Sequence, residues 1–505
     1  MILNARIHIA IFCASFAMFC YCCFGGGGGS ICSREAVIAS SNSFERSAGI
    51  AGSDALIGGI GINVFGIKNA NAGDQISIIS DIEMEEFIRE IINPIFKVAK
   101  VDSSNTKIFV INDSSVNAFV MDGNVFVNTG LIVMSSKSAM LRGVLAHETG
   151  HLVKNHLIRR VFKREDDKKK AEQAALLSAI LGPMTMGLGI VAAPMVLLGS
   201  MVQGALIYSR ENESEADEAA IEYLGKLHQP IDSLYQVMDY FNQNFTKEQE
   251  EYRYFMSHPL PKERLERMRI AKAESPYETY NYDCELEKKL QRCKAKILGF
   301  FGETGYTTII SSKAPAQCFT GADMLFFKQY KLLHELWRKK DYDKASTLAK
   351  KLILANPKDV FLRESYANML FDMGDVEGSI AMYRQIDSEL NITGSHVNLY
   401  RMLIASKNKD MINEGIDGFK ILLFSDPRNA SYYSMISLGY TNLKDTISSL
   451  AYNAEANLIM GDCAAAKNLA ERSLKLLKKS PNHPNKKQRE LMATDIIDAC
   501  NADKD

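Results

Sequence analysis

The sequence predicts an α+β domain, a small sheet with helices packed on it, followed by an all-α repeat solenoid. Three observations carry this. Short runs of β period crowd together between residues 107 and 128, and the apolar spacing then turns helical from Leu141. From Leu325 onward the pattern is helical throughout, with Asp341-Tyr-Asp-Lys-Ala345 recurring as Asp375-Val-Glu-Gly-Ser379.

At 505 residues the chain has room for two or three domains. A hydrophobic fraction of 47% and a charged fraction of 24% belong to a folded globular chain rather than a disordered one. The net charge of -1 supplies no global field for nucleic acid, so no nucleic-acid partner is expected. Residues 1–30 read as a signal peptide or an N-terminal anchor: Arg6 precedes an apolar run from Ile7 to Phe24. Cys20, Cys22, Cys23 and Cys32 raise a lipoprotein alternative, although none follows a clean lipobox. Residues 31–74, rich in Gly, Ser and Ala, read as linker.

A helical stripe follows from Asp81 to Val98 (Ile82, Phe87, Ile88, Ile91, Ile92, Phe96), with a break expected near Pro94. Lys107 to Asn112 reads as a strand. Ala118-Phe-Val is a second and Val125-Phe-Val-Asn128 a third, joined by the turn Met121-Asp-Gly-Asn124. A short helix around Leu131 to Met134 leads to the stretch that organises the domain, Leu141 to His156. At helical period His147 and His151 leave one face, and two neutral imidazoles there can share a metal ion. Glu148 adjoins the first of them, where a carboxylate can take a proton from an attacking water.

Beyond a charged patch (Arg159 to Glu172), residues 173–209 carry no charge. Gly and Pro interrupt this stretch, so two short helices forming an apolar hairpin are expected. The hairpin would pack on the domain or dip into a membrane surface. The helix that begins near Tyr208 is crowded with carboxylates. Glu213 and Asp217 share a face: one carboxylate is a normal third zinc ligand, and Asp217 is then placed to accept the other ring N–H of a ligand histidine. Spacing alone leaves Glu211 and Glu215 as competitors to Glu213. His258 precedes Pro259, in an extended loop from which it could reach the cleft, bonding an oxyanion or blocking the metal. Arg264 would tie that loop down or pair with the carboxylate helix.

Taken together these motifs resemble the M48 family of zinc metallopeptidases, and within it the periplasmic BepA-type branch with repeats after the protease domain. The motifs are Asn117-Ala-Phe, Asn128-Thr-Gly-Leu, His147-Glu-Thr-Gly-His151, Glu213-Ser-Glu-Ala-Asp217 and His258-Pro with Arg264. The likeness runs from about Gln75 to Met268 and implies a zincin-type domain over residues 75–275. By the resemblance His147, His151 and Glu213 are the ligands of one Zn2+ per chain, and Glu148 is the catalytic base. Asp217 and Arg264 lie behind the ligands, and His258 regulates access. Asn117, Ala118 and Phe119 line the cleft and pair with extended substrate. The implied substrates are misfolded or stalled outer-membrane proteins, with the outer-membrane assembly machinery as partner. The implied location is exported and periplasmic, with peripheral membrane contact.

Residues 276–324 read as a connecting helical segment and 325–505 as a tetratricopeptide-repeat domain whose period is roughly 34 residues. Such repeats would recruit substrate or machinery on a concave surface. A reading from another class is a periplasmic chaperone or assembly factor that works through these repeats while the zinc site stays plugged. Of the ten cysteines, Cys284, Cys293, Cys318, Cys463 and Cys500 lie outside the N-terminal segment, and this odd number leaves one unpaired.

Overall fold

The computed structural model describes residues 63–66, 77–103, 106–121, 124–154, 210–244, 258, 262–277, 283–306 and 315–502. The N-terminal signal or anchor segment, most of the linker stretch and the uncharged segment 173–209 lie outside the described residues. No described helix is long and apolar enough to cross a membrane.

Five strands form one sheet: β1 (Asn63–Gly66), β2 (Ser77–Ser80), β3 (Ile108–Ile111), β4 (Ala118–Met121) and β5 (Asn124–Asn128), in the order β1-β2-β3-β5-β4. β3 and β5 run parallel, with Ile108 opposite Val125, and the other neighbours are antiparallel. Met121 pairs with Asn124, so β4 folds back on β5 and ends the sheet as an edge strand. β1 falls in the stretch read as linker. Its four residues, set among glycines, carry too short an apolar run to announce a strand, and their pairing with β2 supplies what the local sequence lacks.

Helix α1 (Ile82–Ala99) starts at Asp81, whose carboxylate accepts the Met84 N–H at 2.9 Å, and ends at Lys100 in the left-handed region. It runs straight through Pro94, against the expected break. Pro94 and Glu90, whose carbonyl loses its partner, both face solvent, where water can satisfy that carbonyl. Ile91, Ile92, Ile95 and Phe96 hold both sides of the proline in the core. After β5 come α2 (Thr129–Met134), α3 (Ser138–Val153), α4 (Arg210–Lys226), α5 (Asp232–Asn244), α6 (Lys262–Glu274) and α7 (Cys284–Phe301). α3 is buried on nearly every side, between β4, α1, α4 and α5. A helix held this way gives its polar side chains no freedom to wander.

Ten helices follow: α8 (Gly321–Arg338), α9 (Tyr342–Ala355), α10 (Val360–Asp372), α11 (Val376–Leu390), α12 (Thr393–Ala405), α13 (Lys409–Ser425), α14 (Ala430–Asn442), α15 (Thr446–Ile459), α16 (Cys463–Lys478) and α17 (Lys486–Ala502). Consecutive helices pack on one another along the series. The recurring aspartate marks a repeated turn. Gly374, Lys444 and Gly461 adopt positive φ, and Asp375, Asp445 and Asp462 then cap the next helix through their side chains. Two disulfides tie this half, Cys284–Cys318 and Cys463–Cys500, and leave buried Cys293 free.

α7 is more than a connector. Leu290 and Ile297 join the sheet core while Lys296 and Arg292 tie α7 to the start of α1 and to the α10 cap. Lys296 Nζ lies 2.7 Å from Asp81 and 2.9 Å from Glu83; Tyr330 donates to Glu83 at 2.7 Å, and Arg292 pairs with Glu83 and with Asp359 of the α10 cap. Burial works against the Glu83 carboxylate, yet Arg292 and Lys296 hold its pKa down to about 2. Glu364 on α10 fares oppositely. Burial outweighs the pull of Lys296, Asp81, Glu83 and Glu85 add like charge, and its carboxyl rises to about 8. Glu85, half-buried beside Asp81, also rises to about 8, through desolvation first and the Asp81 charge second.

A carboxyl raised by folding binds its proton more tightly in the folded state. Its stabilising share is complete below the ordinary carboxylate range and is lost as pH climbs through the raised value. Stability should therefore decline from about pH 5 to 8 through these groups. Glu364→Gln should roughly halve that decline, Glu85 supplying the rest. Urea midpoints at four pH values check this; an unchanged slope in the variant would remove Glu364 as a cause.

Candidate active site

α3 carries His147 and His151 one turn apart on its buried face, their rings crossing at 83° with centroids 4.8 Å apart. α4 crosses directly over this turn, and Gly150 permits the approach. A Cβ at Gly150 would sit 2.9 Å from the Ala216 carbonyl oxygen and 3.0 Å from its Cα, too close for any larger residue without separating the helices. The crossing brings Glu213 against both imidazoles, with Oε2 3.5 Å from His147 Nε2 and Oε1 3.3 Å from His151 Nε2. The two Nε2 atoms are 3.1 Å apart. His258 joins from its loop, Nδ1 3.0 Å from Glu213 and Nε2 3.6 Å from Glu148. One ligand-type atom from each of His147, His151, Glu213 and His258 falls within a 4.8 Å cluster, all buried. Glu211 and Glu215, the spacing-level competitors, lie outside it.

Asp217, one turn beyond Glu213, places Oδ1 3.0 Å from His147 Nδ1. Arg264 on α6 grips Asp217 with two hydrogen bonds, Nε and Nη2 each at 2.7 Å, and Nη1 pairs with Glu213. Arg264 thus pairs with the carboxylate helix, the second of its two expected roles, and is itself 1% exposed. Ala118 and Phe119 open the edge strand β4, which packs against α3, and Asn117 immediately precedes it. Phe119 stacks on Phe126 at 4.5 Å, and the Asn117 side-chain oxygen is buried without a hydrogen-bond partner among the described residues.

The electrostatics suit a bound cation. Burial disfavours a charged His147, but Asp217 and Glu213 outweigh it and raise the imidazole to about 9. Burial drives His151 well below its ordinary value, and the adjacent His147 and His258 add to this. Burial also opposes the Glu213 carboxylate, yet His258, His147 and His151 keep it well below the usual range. Asp217 is likewise held down, against burial, by Arg264 and His147. Asp217 faces His147 Nδ1, which leaves Nε2 directed at the cluster. Once a bound cation displaces the second proton of His147, its lone pair joins those of His151 and the Glu213 carboxylate, and three electron-pair donors converge. Such a donor set fits a divalent metal.

A buried His-Glu-x-x-His helix, crossed by a carboxylate helix above a small sheet, defines a metallopeptidase-type site. Residues 83–272 match the model of peptidase family M48. It is similar to the beta-barrel assembly-enhancing protease of Yersinia pestis, 26% identical over 296 residues covering 57% of this chain and 58% of that one. A protein of the same name from Escherichia coli K12 is 27% identical over 158 residues, 31% of this chain and 32% of that one. A Vibrio cholerae protein provisionally given that name is 30% identical over 199 residues, 37% of this chain and 39% of that one. The chain thus spans less than two thirds of the length of the curated relatives it matches.

Sequence reasoning missed Gly150. Its signal was available, a glycine inside a helix that otherwise has no use for one, but the partner it admits, Ala216, is visible only in the crossing.

Proposed function

We propose that this chain is a zinc-dependent endopeptidase that hydrolyses peptide bonds of misfolded or stalled outer-membrane proteins, and that its tetratricopeptide-like repeats recruit substrate or assembly machinery. The observation that carries the catalytic part is the convergence of His147, His151 and Glu213 with Glu148 beside them and Asp217 and Arg264 behind. The names of the relatives support the substrate class. Two disulfides and the apolar run near the N-terminus support an exported, periplasmic location.

His147, His151 and Glu213 would hold the zinc, which when bound would supply Lewis acidity toward the scissile carbonyl and the attacking water. Asp217 keeps the His147 proton on Nδ1, and Arg264 balances the two buried carboxylates. Glu148 takes the proton of the water and returns it to the leaving amine. The edge strand β4 pairs with extended substrate, its backbone groups giving affinity without sequence preference.

His258 lies inside the ligand cluster, 1% exposed. That position supports a resting state in which this histidine fills the site, and it favours the second reading, a chaperone or assembly factor whose zinc site is normally plugged. When displaced from Glu213, the same imidazole can bond the oxyanion of the tetrahedral intermediate. Cleavage of an unfolded outer-membrane protein should follow metal content: full with one zinc per chain, absent after chelation and restored by zinc. His258→Ala should raise the basal rate if the loop plugs the site. Cleavage that persists in the metal-free chain would sink the enzyme reading; silence in both wild type and His258→Ala would favour the chaperone.

A further inference from the structure

The active-site helix has no cap of its own. The residue before α3 is Lys137, extended at φ -146°, and its side chain makes no capping bond. The missing acceptor comes from a distant part of the chain. Glu287, on α7 and outside the matched family region, reaches the first residue of α3. The Ser138 N–H lies 3.0 and 3.1 Å from the two Glu287 oxygens, and Ser138 Oγ donates to Oε1 at 2.6 Å. Glu287 is completely buried. A carboxylate there accepts from the first backbone N–H of the helix and from the Ser138 hydroxyl, and it meets the positive end of the helix dipole. A second contact from the same helix closes the preceding turn, Lys294 Nζ donating to the Ser135 carbonyl at 2.9 Å.

We infer that Glu287 is a positioning residue for the metal site: it is the axial stop that sets how far α3 slides past α4. This rests on the peptidase reading. The metal donors come from two different helices, His147 and His151 from α3 and Glu213 from α4. An axial shift of α3 therefore changes the His–Glu213 separations directly, and such sites tolerate only about 0.5 Å of misplacement. Side packing on α3 resists tilting, but apolar contacts define axial position weakly; a short, charged, three-point bond at the helix start defines it well. The stop is itself rigidly mounted. Cys284, three residues before Glu287, is bonded to Cys318, and farther along α7 Lys296 and Arg292 are locked to Asp81, Glu83 and Asp359. The catalytic unit thus extends beyond the matched domain to α7, the helix on which the first repeat packs.

The test uses the full chain with Glu287→Ala and Glu287→Gln, the latter keeping shape and one acceptor. Hydrolysis, the absorption spectrum of the Co2+-loaded protein and amide exchange along α3 are followed together. Glu287 is completely buried on α7 and stands outside the donor cluster, so Glu287→Ala should lower kcat tenfold or more at a KM within twofold of wild type, and should shift the Co2+ spectrum. Exchange should quicken from Ser138 through His151, and Glu287→Gln should recover kcat to within threefold of wild type. A Glu287→Ala protein with wild-type kcat, spectrum and α3 exchange would overturn the inference, as would a loss that falls on KM alone. Should Glu287→Ala not fold, Glu287→Gln decides: faster exchange in the first turn of α3 upholds the stop, and unchanged exchange there refutes it. The spectrum and exchange need no turnover, so a chain without peptidase activity would refute the function while leaving this test intact.

Discussion

Replacing Glu148 by Gln is expected to lower peptide hydrolysis by about 10²–10⁴-fold, the usual share of a general base, while the chain still binds one metal ion. Glu148 lies in the buried turn between the two histidines, 1% exposed, and is not among the clustered donor atoms. Gln keeps the shape and most of the hydrogen bonding but cannot accept a proton at neutral pH. The ligands stay where α3 and α4 hold them, so metal content and melting temperature should match wild type. The measurement is single-turnover cleavage beside metal analysis on the same preparation. A variant that cleaves within a few-fold of wild type would end the assignment of Glu148 as base; a variant that loses metal would make it structural.

The second large effect belongs to Arg264, which no reactant need touch. Arg264→Ala leaves Glu213 and Asp217, both buried, without the guanidinium that balances them. Breaking a buried charge group from one side typically costs about 3–5 kcal/mol. Lysine should rescue poorly, because a point charge cannot make the two-pronged contact with Asp217 and still reach Glu213. The loss should be largest in metal-free protein. Zinc brings its own positive charge to Glu213 and, at a hundred times its dissociation constant, returns about 2.7 kcal/mol to any chain that binds it. Urea unfolding of wild type and variant, each with and without zinc, gives the four numbers needed. Coincident metal-free curves would show that the pair contributes nothing.

Both effects trace to residues legible in the bare chain, but not equally. Glu148 is readable from local spacing, since a helix puts residues four apart on one face whatever surrounds it. Arg264 could be given only two alternative roles, because nothing near it in sequence says which element it meets.

The same divide runs through the molecule. The strands β3 to β5, the active-site helix and the helical second half follow from periodicity, a local property of covalent geometry. The pairing of His147 and His151 follows from it too. Selection of Glu213 over its acidic neighbours rested on family likeness in the sequence and on a helix crossing in the structure. Helix α1 overrode its proline because burial on both sides outweighed one lost solvent-facing hydrogen bond. β1 hid in glycine-rich sequence because a strand's partner, not its own residues, stabilises it. The pairing of four cysteines and the reach of Glu287 to Ser138 span 34, 37 and 149 residues of chain. Contacts at that separation carry no local signature. The chain alone determined which chemistry is present and on which faces; the tertiary structure decided which groups meet, because packing and charge burial are settled between elements distant in sequence.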